Sequence, residues 1–307
     1  MESVNFIIAD VFTDLRFGGN QLAVFLEGSA LDSETMQKLA REMHFSETTF
    51  LLPPKADGDF AVRIFTPETE LPFAGHPIVG TAYVIVSEKL KATSQPATLV
   101  RLETGVGLLS IEVLVHDGLP GQTIMTQPLP EIRKTFNDVE RLAKAFGLTP
   151  TEIRSQLPAQ AIYNGVTVLI VPITSLSAIQ NIKVDIREVE RISHEVGAQT
   201  VLAFSQETIN QAHTAHCRVF APAAGVVEDA ATGSANGPLG FYLVHHRLIE
   251  SSPCTQVISE QGFEMNRPSL LHIEVSINPT TNEVEKVRVG GRVVISGEGR
   301  IFLSCAK

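Results

Sequence analysis

Arg63-Ile64-Phe65-Thr66-Pro67-Glu68-Thr69-Glu70-Leu71-Pro72-Phe73-Ala74-Gly75-His76-Pro77-Ile78-Val79-Gly80-Thr81-Ala82 is the stretch on which the fold turns. An apolar strand end at Ile64-Phe65 runs into Pro67 and Pro72, which stop it, and small residues then let the backbone pass close to a neighbour. Pro77, whose φ already suits the first helical turn, opens a helix. A helix start carries unpaired N–H groups and the positive end of the helix dipole, so the stretch reads as an anion site with a histidine beside it. The plan recurs once. Arg218-Val219-Phe220-Ala221-Pro222 matches Arg63 to Pro67 position by position, and Glu228-Asp229-Ala230-Ala231-Thr232-Gly233-Ser234-Ala235 again opens a helix from a turn of small and polar residues. The expectation is that the two helix starts face each other across one pocket, with the carboxyl of Glu47 between them.

Length and composition fit a chain of two halves. Its 307 residues are 44% hydrophobic and 19% charged, with a mean hydropathy of +0.13, as in a well-filled globular protein. The net charge of −10 argues against a nucleic-acid partner, which calls for a basic face. It also gives no long-range attraction for an acidic ligand, so an anion must be held by local donors. Cys217, Cys254 and Cys305 are odd in number and lack metal-like spacing, which points to a reducing, cytoplasmic compartment. The N-terminus lacks a basic region, and Asp10 interrupts its apolar run, so no signal peptide is read. The longest apolar run, Val166 to Ile173, is too short to span a bilayer and reads as a buried strand.

Turn and cap signals divide the rest. Strands are expected over Asn5–Phe12, Leu22–Leu26, Phe45–Leu52 and Phe60–Phe65, and a helix from a cap at Asp32 or Ser33 through Met43. Another helix is expected from Pro77 to about Lys89, followed by a meander over Ala97–Arg101, Gly107–Val115 and Gln122–Gln127. In the second half, helices are expected over Asp138–Phe146, Thr151–Gln156, Ile186–Val196 and on from the second motif to His245. Strands are expected over Val166–Val171, Val201–Phe204, Thr214–Phe220, Thr255–Glu260, Leu270–Ile277, Val284–Gly290 and Val293–Leu303. The repeated order predicts two pseudo-symmetric domains with a linker near Pro128-Leu129-Pro130. Their expected bounds are residues 1–127 and 128–297, with a strand at about 298–307 returning to the first.

The residues also carry a resemblance. Gly19-Asn20 with Ala23-Val24-Phe25, Ser46-Glu47-Thr48, Phe65-Thr66-Pro67 and Phe73-Ala74-Gly75-His76-Pro77 resemble the phenazine-biosynthesis PhzF family. So do Glu228-Asp229 with Ala231-Thr232-Gly233-Ser234-Ala235, and Gln261-Gly262 with Arg267-Pro268-Ser269. The resemblance runs along nearly the whole chain. It implies an α+β fold similar to diaminopimelate epimerase, with two domains, each a curved, mainly antiparallel sheet around a central helix. It also implies a cofactor-independent isomerase, typified by isomerisation of dihydro-3-hydroxyanthranilate, commonly a homodimer. Carried over by position, it places a catalytic glutamate at Glu47, a histidine at His76 and an aspartate at Asp229, and substrate contacts at Asn20, Gly75, His76, Gly233 and Ser234. Gln21 departs from the family pattern, which usually has proline there.

The chemistry of these side chains fits a proton transfer between two carbons of a small carboxylate-bearing substrate. One group must take the proton and return it, and a carboxylate does so when burial raises its pKa. Glu47 lies between Phe45 and Phe50, although alone it also reads as a solvated strand head. His76 can polarise, orient or relay, or simply cap a helix; Asp229 can hold a substrate amine or hydroxyl, or serve as a plain N-cap. No Walker pattern follows the turns, so a carboxylate is favoured over a phosphate as the bound anion. A two-thiol racemase would need a cysteine at each helix start, where this chain has Ala74 and Ala231. His213, His216 and Cys217 invite a zinc reading, but one strand cluster is more simply packing, and no metal is expected. No dinucleotide fingerprint or nucleophile elbow occurs. The alternatives are a ligand-binding protein that kept the fold, and a racemase or epimerase using the same carboxylate.

Overall fold

Burial follows two periods. Ser269–Ile277 alternates buried and half-exposed residues along its whole length, the mark of a strand with one covered face. Gly75–Ile85 instead buries ten of its eleven residues, the mark of a helix wrapped on all sides. The computed structural model describes residues 3–90, 95–222, 225–281 and 283–303. Cys305 and the last residues of the expected terminal strand lie outside these. The chain forms two units, Met1–Met125 with Gly290–Lys307, and Thr126–Val289.

The first unit begins with β1 (Ser3–Val11), β2 (Asn20–Phe25), α1 (Ser33–Met43), β3 (Glu47–Leu52), β4 (Phe60–Phe65) and the short β5 (Glu70–Leu71). It continues through α2 (Gly75–Ile85), β6 (Ala97–Thr104), β7 (Gly107–His116) and β8 (Leu119–Gln127). The second holds β9 (Glu131–Phe136), α3 (Val139–Phe146), β10 (Ala159–Tyr163), β11 (Thr167–Pro172), α4 (Leu176–Gln180), α5 (Ile186–Val196) and β12 (Thr200–Ser205). It goes on through β13 (Ala215–Ala221), β14 (Val226–Asp229), α6 (Gly233–His245), β15 (Cys254–Gln261), β16 (Ser269–Ile277) and β17 (Val284–Gly291), and β18 (Val293–Phe302) returns to the first.

The strand ladders repeat. In the first unit β1 pairs antiparallel with β18 and β2, β2 runs parallel to β3, β3 antiparallel to β4, β4 parallel to β6, and β6 antiparallel to β7. In the second, β10 pairs antiparallel with β9 and β11, β11 runs parallel to β12, β12 antiparallel to β13, β13 parallel to β15, and β15 antiparallel to β16. Each sheet covers its own apolar helix: α2 packs on β1, β2, β3, β6, β7 and β18, and α6 on β11, β12 and β16. A Cβ at Gly80 would stand 2.6 Å from Leu22 Cδ2, so glycine there lets α2 lie close to the sheet. This is the epimerase-like α+β fold that the resemblance implied.

The repeat extends to side chains. Arg63 forks onto Glu70 at 2.7 and 2.6 Å with its guanidinium 5.0 Å from the Phe65 ring centre. Arg218 forks onto Glu228 at 2.7 and 2.7 Å, 5.4 Å from the Phe220 ring centre. Each phenylalanine joins the core under the outer helices: Phe65 meets Phe50 edge-on beneath α1, and Phe220 packs with Phe146 of α3. The predicted helix over Thr151–Gln156 is only one tight turn, Pro150–Glu152, closed by reciprocal capping between Thr149 and Glu152. Ile153 then leaves it to bridge Ile173, where it is buried.

Candidate active site

In the first unit the site begins with a tight loop. Asp10, buried on β1, accepts the backbone N–H of Phe17 at 2.8 Å and so ties down the turn before β2. Gly19 in that turn has φ +62°, and a Cβ on it would stand 2.4 Å from Val11 O, so the turn requires glycine. The turn delivers Asn20, buried at the head of β2. Beside it, Leu22 of β2 pairs in parallel with Glu47, the first residue of β3.

These elements bring Glu47, His76 and Asn20 together. Asn20 Nδ2 lies 3.3 Å from His76 Nδ1, and the Ser46 hydroxyl donates to Asn20 Oδ1 at 3.2 Å. On the other edge of the imidazole, Nε2 stands 3.4 Å from Glu47 Oε2. The side chains of His76 and Glu47 are 6% and 17% exposed, and Glu47 Oε2 is buried with no hydrogen bond among the described residues. Burial pushes the Glu47 carboxyl up to about 7, and the nearby Ser46 hydroxyl offsets only part of that rise. A carboxyl poised there holds or releases a proton near neutral pH with little driving force, as a general acid–base requires.

His76 is the second residue of α2, next to Gly75. Four other helices are capped by side chains: Asp32, Asp138, Ser175 and Asp185 accept first-turn N–H groups of α1, α3, α4 and α5. Neither α2, which follows Ala74, nor α6, which follows Thr232, has a side-chain cap. The dipole and first-turn amides of these two helices can therefore serve an anion.

In the second unit Asp229 ends β14 and is half-buried; it is not the cap of α6. Its carboxylate accepts the Thr232 hydroxyl. Gln261, fully buried, binds the turn from both sides: its Nε2 donates to Asp229 O and Thr232 Oγ1 at 2.8 and 2.9 Å, and its Oε1 accepts Thr232 N–H at 3.1 Å. Gly233 and Ser234 open α6, and their carbonyls have amide donors. Gln127 Nε2 donates to Gly233 O at 2.9 Å, and Asn164 Nδ2 to Ser234 O at 3.0 Å. Pro238 inside α6 explains the second bond, since it lacks the N–H that would have reached Ser234 O.

The sequence reading assigned no role to Ser46, Gln127, Asn164 or Gln261. A proline four residues after Ser234 was the one local signal that a donor was missing; nothing local points from Gln261 to Asp229. His213 and His216, which had suggested zinc, meet carboxylates. His213 Nδ1 lies 2.7 Å from Glu260 Oε1, and His216 bridges Glu260 Oε2 and Glu264 Oε1 at 2.8 and 2.9 Å.

Three comparisons bear on this arrangement. The family described as phenazine biosynthesis-like protein, PhzC-PhzF, matches residues 9–299. The trans-2,3-dihydro-3-hydroxyanthranilate isomerase of Pseudomonas fluorescens is 36% identical over 299 residues, covering 97% of this chain and 99% of that one. Among solved structures, a PhzF-family phenazine biosynthesis protein of Bacillus anthracis superimposes with a TM-score of 0.89 at 25% identity, over 99% of this chain and 100% of that chain. The fold extends further still. A hydroxyproline epimerase of Agrobacterium vitis gives a TM-score of 0.66 at 14% identity, over 98% of this chain and 93% of that one.

Proposed function

The chain belongs to the PhzC-PhzF family of phenazine biosynthesis-like proteins and is an isomerase, and from that premise we propose a cofactor-independent isomerisation carried by the Glu47 carboxyl. The supporting observation is that buried carboxyl, raised to about 7 and set 3.4 Å from His76 Nε2 at an uncapped helix start. In the proposal, ionised Glu47 takes a proton from one carbon of a small carboxylate-bearing substrate and returns it to another. The proton rests on the enzyme between the two steps, so no other reactant is consumed. His76 orients the carboxyl and polarises the substrate, and the first-turn amides at Gly75 and His76 hold the acid group.

Asp229, Gly233 and Ser234 are substrate contacts in this reading, Asp229 by accepting a hydrogen bond from an amine or hydroxyl, and Asn20 serves the reaction from its place against His76. Assembly as a homodimer in the cytoplasm belongs to the same proposal. No helix among the described residues is long and apolar enough to cross a membrane.

The test uses trans-2,3-dihydro-3-hydroxyanthranilate in D2O. While Glu47 carries the proton it exchanges with solvent, so the wild type incorporates deuterium into carbon positions. Glu47→Gln retains binding and loses incorporation. Equal incorporation by the variant would remove Glu47 from the mechanism.

A further inference from the structure

Asn20 was expected to contact substrate, yet its amide is turned toward His76. An amide nitrogen only donates hydrogen bonds, and a carboxylate only accepts them. Asn20 Nδ2 is 3.3 Å from His76 Nδ1, and Glu47 Oε2 is 3.4 Å from His76 Nε2. The Ser46 hydroxyl, donating to Asn20 Oδ1 at 3.2 Å, selects which end of the amide faces the ring. With the proton on Nε2, Nδ1 accepts from Asn20, and the positive Nε2–H edge lies 3.4 Å from the carboxylate, not aligned for a hydrogen bond but electrostatically favourable. With the proton on Nδ1, N–H would face the Asn20 N–H, and the electron-rich Nε2 edge would lie beside the carboxylate. With both nitrogens protonated, the contact with Asn20 would still set two donors against each other.

We infer that Asn20 is a positioning residue that holds His76 as the neutral Nε2–H tautomer, with Ser46 fixing the direction of the Asn20 amide. It acts through His76. The imidazole then keeps its one donor on the side of the carboxyl and substrate and does not compete with Glu47 for the transferred proton. Burial makes this arrangement stiff: Asn20 is 4% exposed, and the turn that carries it is tied to Asp10. This inference rests on the isomerase reading of the site, but its main observable does not require a substrate.

The experiment is 15N NMR of the full chain with labelled histidine, His76 being assigned by comparison with His76→Gln. The expected wild-type spectrum shows unprotonated Nδ1 and protonated Nε2. Asn20→Asp replaces the donor with a carboxylate, and its expected effect is a proton on Nδ1 together with a kcat about 10²-fold lower and KM changed less than threefold, the size of a lost acid–base contribution. Asn20→Ala should leave a mixture of tautomers, and Ser46→Ala a smaller shift of the same kind. Circular dichroism identifies any variant that fails to fold, and the wild-type tautomer alone still decides the matter. Protonated Nδ1 in the wild type, or an unchanged His76 spectrum in folded Asn20→Asp, overturns the inference and leaves the isomerase reading intact. The Nε2–H tautomer together with no deuterium incorporation by the wild type overturns that reading and leaves the inference intact.

Discussion

Glu47 and His76 meet edge to edge, with Oε2 of the carboxyl 3.4 Å from Nε2 of the imidazole, although they come from the start of a strand and the start of a helix 29 residues apart. A carboxyl raised to about 7 is protonated below that pH and a base above it. The proton-abstracting form of the free enzyme therefore grows with pH, and kcat/KM should rise through an apparent pKa near 7. Glu47→Gln should lower kcat by about 10²- to 10⁴-fold, the usual worth of acid–base catalysis. A pH–rate profile flat from 5 to 9 would show that another group sets the rate.

The same carboxyl should make the protein less stable when ionised. Its pKa rises from 4.5 in the unfolded chain to about 7 in the folded one, so the native state holds the extra proton between those values. Stability attributable to Glu47 therefore falls as pH rises from about 4.5 to 7, by about 3 kcal/mol at most. Glu47→Gln mimics the neutral acid. Its melting temperature should match the wild type near pH 4.5 and exceed it above pH 7, which paired thermal melts would reveal.

His216 should contribute the opposite sign of charge with a window of its own. Burial opposes its charge, but the hydrogen bonds it donates to Glu260 and Glu264 override this and raise it to about 9. Glu260 is also penalised by burial, yet its bonds from His216, Asn210, Ile209 and His213 lower it to about 2. The pair is charged in both members across neutral pH. A histidine raised from 6.5 to about 9 gives stability that is full below 6.5 and lost as pH rises through 9. Glu260→Gln leaves the buried imidazolium short of a partner and should cost about 3–5 kcal/mol by urea unfolding at pH 7. A loss below 1 kcal/mol would mean that His216 is neutral there.

Asn164 supplies the hydrogen that Pro238 cannot. Asn164→Ala should leave Ser234 O, and one bond to Gln127 Oε1, unserved in a buried setting, at a cost of about 1–3 kcal/mol. Restoring the backbone donor with Pro238→Ala in the same chain should recover part of that loss. A double-mutant cycle measures the coupling, and strict additivity would separate the two residues.

The sequence was most legible where residues punctuate it. The helix Ile186–Val196 has Asp185 before it and Gly197, at φ +71°, after it, and its predicted bounds hold. The match of Arg63 to Pro67 with Arg218 to Pro222 proved to be a match of ion pairs, ring contacts and ladder positions. β9 was missed because Glu131-Ile132-Arg133-Lys134-Thr135-Phe136 is mostly exposed and buries only Phe136, so its alternation is faint. β10 was missed because Ala159-Gln160-Ala161-Ile162-Tyr163 contains a buried glutamine and two small residues, a poor apolar signal. In the candidate site, Glu47 and His76 were visible as residue types in a suggestive setting. Ser46 and Gln261 stood only as parts of the resemblance, and Gln127 and Asn164 gave no signal, because each acts on a group distant in sequence and one sequence carries no trace of that proximity.

The return of β18 to β1 has a consequence for synthesis. Ser3 pairs with Phe302, so β1 waits for a strand made almost 300 residues after it. At about 5–20 residues per second the wait is on the order of 15–60 seconds. Thr126–Val289 is one uninterrupted segment and can finish folding on the ribosome before its neighbour. Nascent β1 meanwhile exposes an open edge, which makes this interval of up to about a minute its period of greatest exposure to aggregation and to chaperone capture.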